Sequence, residues 1–176
     1  MKNGQITIPS VLFAGQGSSE KLAEILAKEN VKNVLIFTDR GIRGAGLTKG
    51  VEALCGEAAS VTVVDDLTAE PAVADIERVL GEVREKPELI VGVGGGSVID
   101  TAKAVAHGIA NPGTDIWDIW TGKEELTKTM PFGAVLTIPA AGSETSDSAV
   151  LTNEDTGQKR GLTTQLNRPV FAFMNP

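Results

Sequence analysis

Short apolar runs alternate along the chain with stretches whose apolar positions recur at three- and four-residue intervals. Val34-Leu35-Ile36-Phe37-Thr38 reads as a buried strand, preceded by a helix over Ser18–Glu29. Val61–Val64 is the next strand and Pro71–Glu85 the next helix, with Pro71 suited to its first turn. Leu89–Val93 is a third apolar run, and it meets Gly94-Gly95-Gly96-Ser97 just before a helix over Ser97–Ala110. Val98, Ile99, Ala102, Val105, Ala106 and Ile109 share one face of that helix. Strands separated by helices of about 10–15 residues predict parallel pairing with right-handed crossovers. The expected fold is therefore a doubly wound α/β sheet, in which ligands bind beyond the carboxyl ends of the strands.

The pattern changes after Asn111-Pro112-Gly113. Asp115–Trp120 and Lys123–Lys128 read as a loop with short helical turns, and Phe132–Ile138 as another strand. Ala149–Thr152 and Gln158–Thr164, joined through Asn153-Glu154-Asp155-Thr156-Gly157, predict a β-hairpin with an Asp/Gly turn. Val170–Met174 is a last apolar strand. Trp117 and Trp120 could stack on a ligand, although packing is the commoner use of two aromatics so spaced.

Composition narrows the function classes. With 176 residues, 41% hydrophobic, the chain can bury a sizeable core, and one domain over residues 1–176 is the default. A net charge of −7 argues against nucleic acid or an anionic membrane as a general partner. Met1–Ile6 is too short and polar for a signal peptide, and no apolar run reaches the ~18 residues of a membrane span. Cys55 is the single cysteine, so no internal disulfide can form; it reads as a small buried helix residue, and a cytoplasmic setting fits.

Gly94–Ser97 is the strongest candidate for chemistry. Backbone without side chains lets a phosphate approach the N–H groups, and a helix N-terminus adds partial positive charge. A tight strand-to-helix turn is the competing reading. Asp39, at the end of the strand Val34–Thr38, could accept hydrogen bonds from a ribose and would repel a 2′-phosphate; capping the next turn is its alternative role. Arg40 and Arg43 could instead pair with a phosphate if Asp39 turns away. The usual GxGxxG after the first strand is missing, and Gly15-Gln16-Gly17 reads as a turn. Asp100 could favour the helix dipole or bind cofactor hydroxyls, and Lys159 could reach a ribose or remain a solvated charge. His107, the only histidine, reads as a satisfied structural residue, so a metal site with several imidazoles cannot be built from this sequence.

The segment Gly94-Gly95-Gly96-Ser97-Val98-Ile99-Asp100-Thr101-Ala102-Lys103 resembles the signature of the iron-containing (group III) alcohol dehydrogenases. Thr38-Asp39, Pro71 and Leu136-Thr137-Ile138-Pro139 running into Gly142-Ser143-Glu144 fall in the same order. Trp117, Thr121-Gly122-Lys123 and Val135–Glu144 look most like the butanol dehydrogenase branch. The resemblance implies an N-terminal α/β dinucleotide-binding half. In the family a helical half follows, holding iron or zinc on one aspartate and three histidines, and the whole interconverts primary alcohols and aldehydes by hydride transfer. It also implies roles for single residues. Gly94, Gly95, Gly96 and Ser97 would hold the diphosphate, and Asp100 the nicotinamide-side ribose. Thr137, Ser143 and Ser146 would line the adenine or linker region, with Val150 beside the cofactor and Lys159 near the nicotinamide ribose. Asp39 matches relatives that use NAD, whereas the butanol branch often has a Gly/Ser-rich segment there and uses NADP.

On this reading the chain ends before the family's metal ligands, and the missing helical domain leaves an apolar face that would dimerise or meet a helical partner. Two other readings stay open: a stand-alone nucleotide-binding module without catalysis, and the cofactor half of a glycerol dehydrogenase or dehydroquinate synthase.

Overall fold

The computed structural model describes residues 9–175, so the Met1–Ile6 start and Pro176 lie outside it. Its elements are β1 (Val11–Ala14), α1 (Lys21–Lys28), β2 (Asn33–Phe37), α2 (Arg40–Gly44), α3 (Lys49–Gly56) and β3 (Ser60–Val64). Then come α4 (Val73–Glu82), β4 (Leu89–Gly94), α5 (Gly96–Ala110), α6 (Ile116–Thr121) and β5 (Phe132–Leu136). The hairpin β6 (Ser148–Asn153) and β7 (Gln158–Thr163) precedes β8 (Phe171–Met174).

Six strands form one sheet in the order β1-β8-β5-β4-β2-β3, and every pairing in it is parallel. Alternate side chains feed two layers, as the pleat requires. Val34, Ile36, Val91, Val93 and Phe173 meet Leu22 and Leu26 of α1 and Val51 and Cys55 of α3. Leu35, Phe37, Ile90 and Phe132 meet α4, α5 and α6 through Ile76, Val79, Val105, Ile119 and Trp120. The hairpin joins this second layer through Ala149 and Leu151. Central strands β4 and β5 are buried along their whole length, which accounts for their unbroken apolar runs. The doubly wound sheet is the one expected. No helix of the described residues is long and apolar enough to cross a membrane.

Three details differ from the sequence reading. β1 is an added edge strand of four apolar residues, paired among the described residues to β8 alone and mostly exposed, so its short apolar run is not matched by burial. The glycine loop consequently follows the fourth strand rather than the third. Helix α4 begins at Val73, two residues past Pro71, because the Pro71 carbonyl is used elsewhere: it accepts the Thr152 N–H at 2.8 Å and docks the hairpin. Strand β5 stops at Leu136; Thr137 N–H still reaches Gly94 O at 3.1 Å, but Ile138 then turns 63% exposed into a loop.

Candidate functional site

The chain leaves β2 toward β3 on one side, then crosses back to place β4 on the other side of β2. The loops after β2 and β4 therefore diverge, and a crevice opens between them at the carboxyl end of the sheet. A cavity of about 610 Å³ lies there, lined by Asp39–Ile42, Asp66–Ala69, Gly95–Val98 and Ile138. Larger cavities, about 650 Å³ beside β3 and about 820 Å³ at the opposite end of the sheet, contain none of the glycine loop.

The three glycines of the loop do different work. A Cβ on Gly94 would lie 2.7 Å from Val98 Cγ2, so this glycine permits the strand and helix to pack. A Cβ on Gly96 would lie 3.3 Å from Ser143 Oγ, which brings the Gly142–Ser146 loop against the helix start. Gly95 answers neither need. Its φ of −83° suits any residue, and a Cβ there would meet nothing within 4 Å. A turn alone does not require glycine at this position.

Gly95 is also the N-cap of α5, and it has no side chain to cap with. Among the described residues the N–H groups of Gly96, Ser97 and Val98 donate to no acceptor, while Ile99 N–H is the first to be satisfied, by Gly95 O at 3.1 Å. Capping varies among the helices: Asp39 caps α2 through Ile42 N–H and Asp115 caps α6 through Trp117 N–H, each at 2.8 Å, whereas α1, α3 and α4 have no side-chain cap either. α5 thus presents an uncapped row of donors and the positive end of its dipole to open space.

Asp39 spends one oxygen, Oδ1, on its cap, and no hydrogen bond from the described residues reaches Oδ2. Its backbone also forms a bridge with Asp66, which fixes the cavity's second wall. Arg43 turns away, bound to Asp65 at 2.7 Å and Glu52 at 3.4 Å, and those carboxylates hold its pKa above the ordinary value. Arg40 lines the cavity and belongs to none of the ion pairs among the described residues.

Asp100, Ser146 and Val150 are drawn together one turn further along α5. Asp100 Oδ2 accepts the Val150 N–H at 3.0 Å, and its Oδ1 lies 3.4 Å from Lys103 Nζ. Lys103 donates in turn to Ser148 O at 2.7 Å and Ser146 O at 3.4 Å. Thr137 Oγ1 and Asp100 Oδ1 are buried without a hydrogen-bond partner, as are Thr38 Oγ1 and Glu144 Oε2. Lys159 is not brought to the crevice: it stands exposed on β7 and pairs with Glu70 at 3.1 Å.

His107 is wholly buried and bonded on both sides, Nδ1 to Thr129 Oγ1 and Nε2 to Asn167 Oδ1, each at 2.8 Å. Burial pushes its pKa down to about 4, so the ring is neutral. Trp120 is buried with its N–H on Ala149 O, and Trp117 packs against the same core. Both tryptophans serve packing. Among the described residues no three His, Cys, Asp or Glu side chains gather as a metal site.

The wall Asp66–Ala69 was not singled out from the sequence. Thr68 in it is held by buried Asp75, which accepts both its N–H at 2.7 Å and its hydroxyl at 2.8 Å. The available signal was topological: the loop after the strand beside β2 must border the same crevice.

A family model described as iron-containing alcohol dehydrogenase matches residues 9–176. A probable NADH-dependent butanol dehydrogenase of Bacillus subtilis is 34% identical across the whole chain and 46% of its own length. The NADPH-dependent aldehyde reductase of Escherichia coli is 31% identical, again over the whole chain and 46% of that protein. The crystal structure of NADH-dependent butanol dehydrogenase A from Thermotoga maritima superposes with a TM-score of 0.92 at 32% identity, covering the whole chain and 45% of that structure. A sulfoacetaldehyde reductase from Bifidobacterium kashiwanohense in complex with NAD+ shares the fold, with a TM-score of 0.90 at 24% identity. The chain spans about half the length of the curated relatives it matches.

Proposed function

From the premise that this chain belongs to the iron-containing alcohol dehydrogenase family, we propose that it is the dinucleotide-binding domain of an oxidoreductase that interconverts primary alcohols and aldehydes. The observation that carries the reading is Gly95: neither backbone conformation nor packing asks for a glycine there, and the uncapped N–H groups behind it face an open crevice. An approaching diphosphate accounts for both features. NAD(H) is the assigned cofactor, with NADP(H) as the competitor to be tested.

In this reading Gly95, Gly96 and Ser97 bind the diphosphate, Gly94 lets the cradle close on α5, and Asp39 receives the adenosine ribose on its free Oδ2. Ser143 closes the cradle from above Gly96, and Thr137 offers its unpartnered hydroxyl from the end of β5. Asp100, Ser146 and Val150 border the nicotinamide side, where Asp100 Oδ1 has acceptor capacity left. Lys159 would have to leave Glu70 to approach a ribose. The described residues do not fit the family's metal, so no step is routed through one. Two relatives named for NADH-dependent butanol dehydrogenation favour NADH, whereas the aldehyde reductase of E. coli is named for NADPH.

Calorimetric titration of the chain with NADH and NADPH tests the proposal. Saturable binding with NADH preferred supports it, and absence of binding by either removes this stretch as a cofactor domain.

A further inference from the structure

We propose that Lys103 is a positioning residue for the dinucleotide site: its buried ammonium fixes the loop that brings Ser143 to Gly96 without itself reaching the ligand. The inference rests on the cofactor reading above. It starts from a side chain that is 0% exposed on α5, where Asp100, Thr101 and His107 are the other buried polar side chains. An ammonium taken out of water is costly unless each of its three donors is met. Here three groups surround it: Ser148 O at 2.7 Å and Ser146 O at 3.4 Å accept hydrogen bonds, and Asp100 Oδ1 at 3.4 Å supplies an opposite charge without a hydrogen bond. Two of the three are main-chain carbonyls of one segment, and the third belongs to the carboxylate that grips Val150 N–H in the same segment.

Residues 137–147 form no strand or helix, and their own backbone gives them little: Thr145 N–H to Gly142 O at 3.0 Å is a single turn. The loop is held from outside instead. On the α5 side Lys103 reaches its end at Ser146 O, and Lys103 and Asp100 together hold the start of β6, into which it runs, at Ser148 O and Val150 N–H. Arg168 takes it from the other, donating to Thr145 O and to Asp147 Oδ2, the latter at 3.1 Å. Ser143 sits between these anchors and the glycine cradle, in contact distance of Gly96. Its placement is therefore inherited from a charge that lies below it in the protein. A binding group loosened by even a fraction of an ångström loses the advantage of being preorganised.

The test is Lys103→Met, which keeps the length of the stem and removes the charge. NADH affinity is measured by fluorescence titration well below the melting temperature, together with hydrogen exchange of the amides of residues 143–150. The expected result is an NADH Kd raised at least about tenfold, with Val150 and its neighbours exchanging faster, in a chain that still melts cooperatively. A purely structural lysine would lower the melting temperature and leave the Kd of the folded chain unchanged, and that outcome overturns the proposal. Arg168→Gln loosens the same loop from a half-buried position and decides the matter by the same two readouts if Lys103→Met does not fold. A wild-type chain that binds no NADH overturns the cofactor reading and this inference with it. Wild-type binding with an unaltered Kd in the variants overturns this inference alone.

Discussion

Gly96 and Ser143, 47 positions apart in sequence, approach so closely that a Cβ on the glycine would lie 3.3 Å from the serine Oγ. The loop and the helix start are thus fitted to each other without room for one methyl group. Gly96→Ala should push Ser143 by a few tenths of an ångström, and Ser143→Ala should relieve it. A double-mutant cycle on thermal or urea unfolding is expected to return a coupling of about 1 kcal/mol, and additivity within about 0.3 kcal/mol would mean that the two do not touch.

Gly95 separates stability from binding. Gly95→Asp places a capping carboxylate on N–H groups that have no acceptor now, so the protein should gain ~0.5–1 kcal/mol. The same carboxylate occupies the donors and repels a diphosphate. Calorimetric titration should show NADH binding weakened by at least about a hundredfold in a chain whose melting temperature holds or rises.

Asp39 serves α2 and, in the proposed reading, the ribose. Asp39→Ser retains a capping oxygen for Ile42 N–H and removes the negative charge. The melting temperature should change little, while the preference for NADH over NADPH falls about tenfold, equivalent to ~1.4 kcal/mol. Parallel titration with both nucleotides measures it.

His107 sets an acid limit. Its folded pKa of about 4 lies below the ordinary 6.5, so the unfolded chain binds the extra proton first as pH falls. The contribution is complete above pH 6.5 and is lost progressively down to about pH 4, amounting to ~3 kcal/mol. Urea unfolding from pH 7 to 4 should show wild type losing that much more than His107→Gln, which has no such proton to take up.

Cys55 should be silent in the native protein. Burial pushes its thiol up to about 12, from 9.0, which cuts the thiolate fraction near pH 8 about a thousandfold. A thiol-reactive dye should label it slowly when folded and at once in denaturant.

The glycine loop, the parallel sheet and the hairpin were legible because each has a local signal: an unbroken apolar run, a 3.6-residue period, an Asp/Gly turn. β1 was not, since a four-residue apolar run, Val11–Ala14, is too short to mark a strand by itself, and Val11 and Leu12 stay 54% and 48% exposed at the sheet edge. Asp39 was legible as a site candidate, and both of its readings were open; the structure gives one oxygen to the cap and leaves the other. Asp100 and Lys103 hid their partners, because Val150 and Ser148 lie 50 and 45 positions away and contribute only backbone atoms. The Lys159 ion pair spans 89 positions to Glu70, beyond any window of sequence periodicity.

The pairing of β1 with β8 also sets a timetable. Val11 and Phe171 are register partners, so β1 docks on a strand that leaves the ribosome about 160 residues after it. At ~5–20 residues per second, β1 spends roughly 10–30 s without its neighbour in the described sheet while β2 to β5 assemble behind it. Its brevity, four residues, is what limits the wrong strands that its exposed apolar edge can capture while it waits in water.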